Sequence, residues 1–151
     1  MTLTKFAPIA AVMIALLALA PARTLAGDAA RARRDLMAAK DNAETGRWDD
    51  LNDRMKKVAA DMEGLSESEK KPLLAEVAAI KAIVTKSIEE DVTKRLDKAA
   101  KADLGMAKLD IGRAAMRLNS DEAKNLADPA AMDKLRARLA SMTGGSAPAP
   151  T

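Results

Sequence analysis

Three carboxylates, Asp49, Asp50 and Asp53, fall within five residues of one another. Acids this close can hold Ca²⁺ or Mg²⁺, which take oxygen ligands. Their spacing is not that of an EF-hand, and no loop glycine accompanies them. They fit better as the first turns of a helix, whose positive dipole end favours acids, so no metal site is assigned. Seven methionines follow the first 26 residues: Met37, Met55, Met62, Met106, Met116, Met132 and Met142. Thioethers suit Cu(I), but these are spread over several predicted helices at core-type positions, so packing is the expected role. The rest of the chemical inventory is short. The chain has no Cys and no His. That removes thiol nucleophiles, disulfides and lipidated cysteine, and with them imidazole bases and ordinary zinc or haem sites. No paired acids fall in a credible cleft. The expectation is a protein that is not an enzyme and carries no cofactor.

Basic residues form two groups. Arg31, Arg33 and Arg34 lie near the start of the first predicted helix, and Lys94, Lys98 and Lys101 line a later polar face, with Lys108 a turn further on. The chain has one Trp, one Phe and no Tyr. Without interleaved aromatics the lysine face offers no stacking platform for single-stranded nucleic acid, and Asp97 and Asp103 interrupt its charge. Both groups read as solvated faces first and as weak contacts to an anionic membrane surface or envelope polymer second.

The elements that must position these residues begin after a leader. Lys5 supplies a positive start, Phe6 to Ala20 is an uncharged apolar run, and small residues follow near Ala22 and Ala26. This is the pattern of a cleaved secretory signal, residues 1–26, with the cut favoured after Ala26 over Ala22. The apolar run, with Pro8 inside and Pro21 after it, is short of the ~20 residues a spanning helix needs. Lys5 and Arg23 leave with the leader, so 23 of the 25 basic residues remain against 22 acids, a net charge of +1. The Ala- and Arg-rich style is bacterial, and the expected location is periplasmic or extracellular.

The remainder reads as helices. Ala29, Ala32, Leu36, Ala39 and Ala43 share one face of a helix over 28–44, which Gly46 should cap. Trp48, Leu51, Met55, Val58, Met62 and Leu65 alternate by threes and fours and predict a helix over 47–63 ending at Gly64. Trp48, at the head of that stripe, is expected as an anchor between helices. Ser66 and Glu69, with Leu65 before them, form a capping-box pattern. Pro72 argues for an irregular turn at 67–70 and a regular helix from about 71. Leu73, Val77, Ile80, Val84, Ile88, Val92, Leu96, Ala99, Ala107, Ile111, Ala114 and Leu118 then form a long stripe, with Asp103 as a polar interruption. It predicts one helix over 71–118, the alternative being a break near Ile88–Thr93. The stripe drifts, so its first half should face the Trp48–Met62 helix and its second half the C-terminal helix. Gly105 and Gly112, a heptad apart, each cost about 1 kcal/mol against Ala inside a helix and point to a closely approaching helix, the alternative being a plain break at Gly105. Ser120 can start a short helix, Asp128-Pro129 starts the last one over 129–142, and 144–151 is a Pro/Ala tail expected to be disordered.

Leu65-Ser66-Glu67-Ser68-Glu69 resembles the Leu-Thr-x-x-Gln element of small periplasmic helical chaperones and stress sensors of the Spy and CpxP type. Ser replaces Thr, Glu replaces Gln, and one copy stands where that family has two. The resemblance implies a secreted, all-helical, non-enzymatic protein. Gly46 to Leu51 also resembles the turn of a tetratricopeptide hairpin, but no second copy follows at that period, and a repeat array is not expected.

The fold class expected is all-α: an elongated antiparallel helical bundle on one long central helix, with the helical domain over 27–143. The function expected is that of an envelope adaptor or chaperone-like binder, acting through a protein partner or self-association. Trp48, Gly105, Met106, Gly112 and Met116 form the expected interaction surface. The alternative is a peripheral binder of anionic membrane or envelope polymer through Arg31, Arg33, Arg34, Lys94, Lys98 and Lys101.

Overall fold

The computed structural model describes residues 21–144, with side chains from Ala29 onward. Residues 1–20 of the proposed 1–26 leader and residues 145–151 of the proposed 144–151 tail lie outside the described residues. Among these, every regular element is a helix: α1 (Pro21–Thr45), α2 (Trp48–Glu63), α3 (Glu67–Ala99), α4 (Leu104–Leu118), α5 (Asp121–Asn125) and α6 (Pro129–Thr143).

α1 and α2 form an antiparallel hairpin. Gly46 takes φ +72°, the left-handed conformation that lets the chain leave α1, and Arg47 N donates to Asn42 O at 2.9 Å across the turn. Two ion pairs run between the helices, Arg31 with Asp61 and Arg54 with Asp35. The small face of α1 is buried at Ala32, Ala39 and Ala43, and Leu36, Leu51 and Val58 fill the seam. Alanine at these positions lets the two backbones approach closely.

α3 is the central element, at 33 residues ~50 Å long. The capping box is present: the Glu69 carboxylate accepts from Ser66 N at 3.0 Å and from Ser66 Oγ at 2.6 Å. That bond to Ser66 holds the Glu69 carboxyl below its ordinary range. The expected irregular turn at 67–70 is absent, and Pro72 lies inside a helix that starts at Glu67. Pro72 and Ser68 are both exposed, so water can serve the carbonyl that proline leaves without a donor. The neighbours of α3 also differ from expectation. α1 packs on it, α2 packs on α1, and α4 and α6 cover the rest.

The expected single helix over 71–118 is two helices that fold back on one another. The break falls at 100–103, which overturns the continuous reading and the break considered at Ile88–Thr93, and lies just ahead of Gly105, the other place where a break was considered. It needs neither Gly nor Pro. Asp103 turns extended (φ −63°, ψ 166°) and its carboxylate accepts from Met106 N at 3.0 Å, capping α4. The driving force is burial. Continued straight, Ala114 and Leu118 would stand in water; folded back, they are buried against the α3 stripe of Val84, Ile88, Val92 and Leu96. One buried Leu contributes about 2 kcal/mol. Asp91 and Arg95 come beside Arg113, Met116 and Arg117, which fixes α3 and α4 as antiparallel.

α5 and α6 close the lower half. Ser120 Oγ accepts from Ala123 N, and Asp128 Oδ1 accepts from Ala130 N at 2.8 Å with Pro129 as first helical residue. Asp128 N donates to Thr85 Oγ1 at 2.8 Å, and Arg138 pairs with Asp97, so α6 runs parallel to α3. Met132 and Leu135 are its buried face, and Gly144 ends it at φ +70°.

Candidate interaction surfaces

The four residues expected on α4 share one region of that helix. Ala107, Ile111, Ala114 and Leu118 point inward. At 100° per residue, Gly105, Leu109, Gly112 and Met116 then form the opposite, outward line. Large apolar side chains remain in water along and beside it: Leu104 is 76% exposed, Met106 53%, Leu109 46% and Met116 76%. Scattered apolar residues on a surface need no explanation, but four on one 15-residue helix form a patch. The expected close approach at the glycines is not made within the described residues. A Cβ at Gly112 would meet nothing within 4 Å, and one at Gly105 would meet only Asp103 Oδ1, at 3.5 Å.

Cations flank this line on both sides. Lys108 is exposed on one and Arg113 on the other, and neither has an ion-pair partner among the described residues. The acids of this segment are engaged or turned away. Asp103 caps the helix, and Asp110 is half-buried on the side facing Arg95. At the C-terminal end the line opens into a hollow of about 440 Å³ lined by Asp91, Arg95, Arg113, Met116, Arg117 and Ser120. Asp91 already accepts from Arg95 Nε at 3.0 Å, a bond that raises the Arg95 pKa further.

Trp48 does not join this face. It is half-buried and packed against the core, with the Arg117 guanidinium carbon 4.4 Å from its ring centroid. Arg117 Nη1 also donates to Glu122 Oε2 at 3.2 Å, and Glu122 Oε1 accepts from Asn52 Nδ2 at 2.6 Å. Glu122 is buried, so α2, α4 and α5 are tied by one polar cluster that sequence reasoning missed. The signal was indirect: Glu122 directly precedes Ala123, Leu126 and Ala127, small and apolar residues that are buried with it.

The basic groups are not brought together. Arg31 pairs with Asp61, which sets the Arg31–Arg34 turn beside the end of α2 that leads to Ser66. Lys101 follows the far end of α3, ~50 Å away. Lys94, Lys98 and Lys101 line a shallow hollow together with Glu89, Glu90 and Asp97, a mixed surface. Packing as the role of the methionines holds for Met55, Met62, Met132 and Met142, while Met37, Met106 and Met116 are exposed. Met106 and Met116 lie ten residues apart on α4, ~15 Å along its axis, too far to share one ion. Among the described residues no group of three acids could hold a metal, and no helix is long and apolar enough to cross a membrane.

A second apolar surface was not foreseen. α2 and α3 diverge after the Ser66 turn, and Met55, Val58, Met62, Leu74, Val77 and Leu126 line the groove of about 450 Å³ between them. Its sequence signal was Leu74, an apolar residue off the buried stripe of α3. No family model, curated protein or solved structure matches this chain.

Proposed function

We propose that this chain is a secreted or periplasmic, non-enzymatic helical protein that works through protein–protein contacts, as an envelope adaptor or chaperone-like binder. The observation that carries the reading is the outer face of α4, where Leu109 and Met116 stand in water beside two glycines that no described element approaches. A monomer gains nothing from either feature. Gly weakens the helix and exposed Leu and Met leave apolar area unburied, while a docked partner would use both. The lack of His and Cys, and the leader-like first 26 residues, agree with it. The alternative, a peripheral binder of anionic membrane or envelope polymer, needs the two basic groups to act as one face, and their separation along α3 makes it the weaker reading.

The chain has no cysteine, so Met116→Cys would carry a unique photo-cross-linker. Attached there and activated in the native compartment, it is expected to yield a discrete protein adduct. The same reagent on Met37→Cys, equally exposed on α1, is expected to yield none. Equal yields from both positions, or none from either, would sink the proposal.

A further inference from the structure

We infer that the outer face of α4 docks an acidic amphipathic helix of another protein, seated along Gly105, Leu109, Gly112 and Met116, with its acids reaching Lys108 and Arg113. This rests on the protein-binding reading above and names the chemistry of the partner.

Three arguments choose the occupant. The first is shape. Along the line, small and large residues alternate, so Gly112 is a notch between Leu109 and Met116 and Gly105 is one beside Leu109. A helix can seat a side chain in such a notch and bring its backbone close. An interfacial lipid-binding helix instead gains its affinity from continuous bulky apolar area, which the two glycines interrupt. The second is charge. Lys108 and Arg113 flank the line from opposite sides with no ion-pair partner among the described residues, whereas Arg95 and Arg117 in the hollow at its end are already paired with Asp91 and Glu122. Acids on both flanks of a partner helix match this arrangement. The third excludes a second copy. Antiparallel pairing that sets each glycine opposite a bulky residue puts the Lys108 side chains of both copies on one flank of the seam and both Arg113 side chains on the other, a like-charge contact on each flank.

The probes are two synthetic helical peptides with the same Leu/Ala seam, one flanked by Glu and one by Lys, and vesicles of phosphatidylglycerol. Binding to the mature protein is read by fluorescence anisotropy of the labelled peptides and by co-sedimentation with the vesicles. The Glu peptide is expected to bind and the Lys peptide not to. Lys108→Glu with Arg113→Glu is expected to weaken the Glu peptide about tenfold, the scale of two partly screened ion pairs, and to admit the Lys peptide. Gly112→Leu is expected to abolish binding with an unchanged or higher thermal midpoint, which separates a filled notch from a lost fold. Equal binding of both peptides overturns the charge assignment. Binding of neither, with adducts still forming at Met116→Cys, overturns this inference and leaves the protein-binding reading standing. Vesicle binding lost on charge reversal, in place of peptide binding, assigns the face to lipid. A dimer in sedimentation that Met116→Glu disperses assigns it to a second copy.

Discussion

Arg117 shows how much a single side chain can be asked to do in a thin core. Its plane covers the Trp48 ring and its Nη1 holds the buried Glu122 carboxylate, which also takes Asn52. Removing one partner of a buried, hydrogen-bonded pair leaves the other charge without compensation. Arg117→Ala is therefore expected to cost about 3 kcal/mol, read from the urea midpoint with Trp48 fluorescence as probe. Arg113→Ala, four residues earlier and exposed, should stay within about 0.5 kcal/mol of the parent. Equal losses would mean that the Trp48–Glu122 cluster does not hold α2 to α4. Gly112 gives the opposite sign. Its added Cβ meets nothing within 4 Å and its place is a helix interior, so Gly112→Ala should raise stability by about 1 kcal/mol in the same measurement. A loss would show that an element outside the described residues closes on that position. The two predictions divide the residues of α4 by what they serve. The inward set holds the fold, and the outward set is held at a cost to it.

At the scale of elements, the caps were legible in the sequence and the tertiary reversal was not. Gly46, Ser66 with Glu69, Ser120 and Asp128-Pro129 each mark a helix end because capping is local chemistry, set by a few neighbouring residues. The break at 100–103 had its signal too, in Asp103 standing on the apolar stripe three residues ahead of the donor it caps. It was missed because Ala107, Ile111, Ala114 and Leu118 resume the apolar spacing after the turn, so the stripe reads as unbroken. Periodicity reports which residues are buried, not whether one helix or two carries them. The α4 face was legible in part: the glycine pair and Met116 were seen, while Leu109, which completes the apolar line, was not. The α2–α3 groove depends on how far two helices diverge, which no local pattern encodes. Two outcomes test the caps. Asp103→Ala should cost about 1 kcal/mol in thermal unfolding, with the loss of helicity at the start of α4. The Glu69 carboxyl titrates lower in the fold than in the unfolded chain, because Ser66 bonds its charged form. Its contribution is therefore complete above the unfolded carboxylate range, about pH 4.3, and is lost as pH falls through the lower folded value. Glu69→Gln should show a shallower fall of thermal midpoint between about pH 5 and pH 3 than the parent; parallel curves would remove the capping box from the account.

For the whole molecule, the central question is where the working protein begins. α1 runs through both proposed cleavage points, after Ala22 and after Ala26. Among the residues whose side chains are described, the first that packs on the core is Ala29, followed by the buried Ala32 and Leu36. A cut after Ala26 would leave every one of these in place, remove Lys5 and Arg23, and bring the net charge to +1. The charge matters to the docking argument. A chain near neutrality has no long-range field to gather acidic partners, so any preference for them must come from the local pair of Lys108 and Arg113. The expected outcome is that protein recovered from the envelope fraction begins at Gly27, by N-terminal sequencing and intact mass. The chain started at Gly27 should unfold at the same urea concentration as the chain started at Arg23, because both keep the whole described core, from Ala29 onward. A mature end at Met1 would overturn the secretory reading. A lower midpoint for the Gly27 chain would show that the first turns of α1 contribute to the fold and would favour the cut after Ala22.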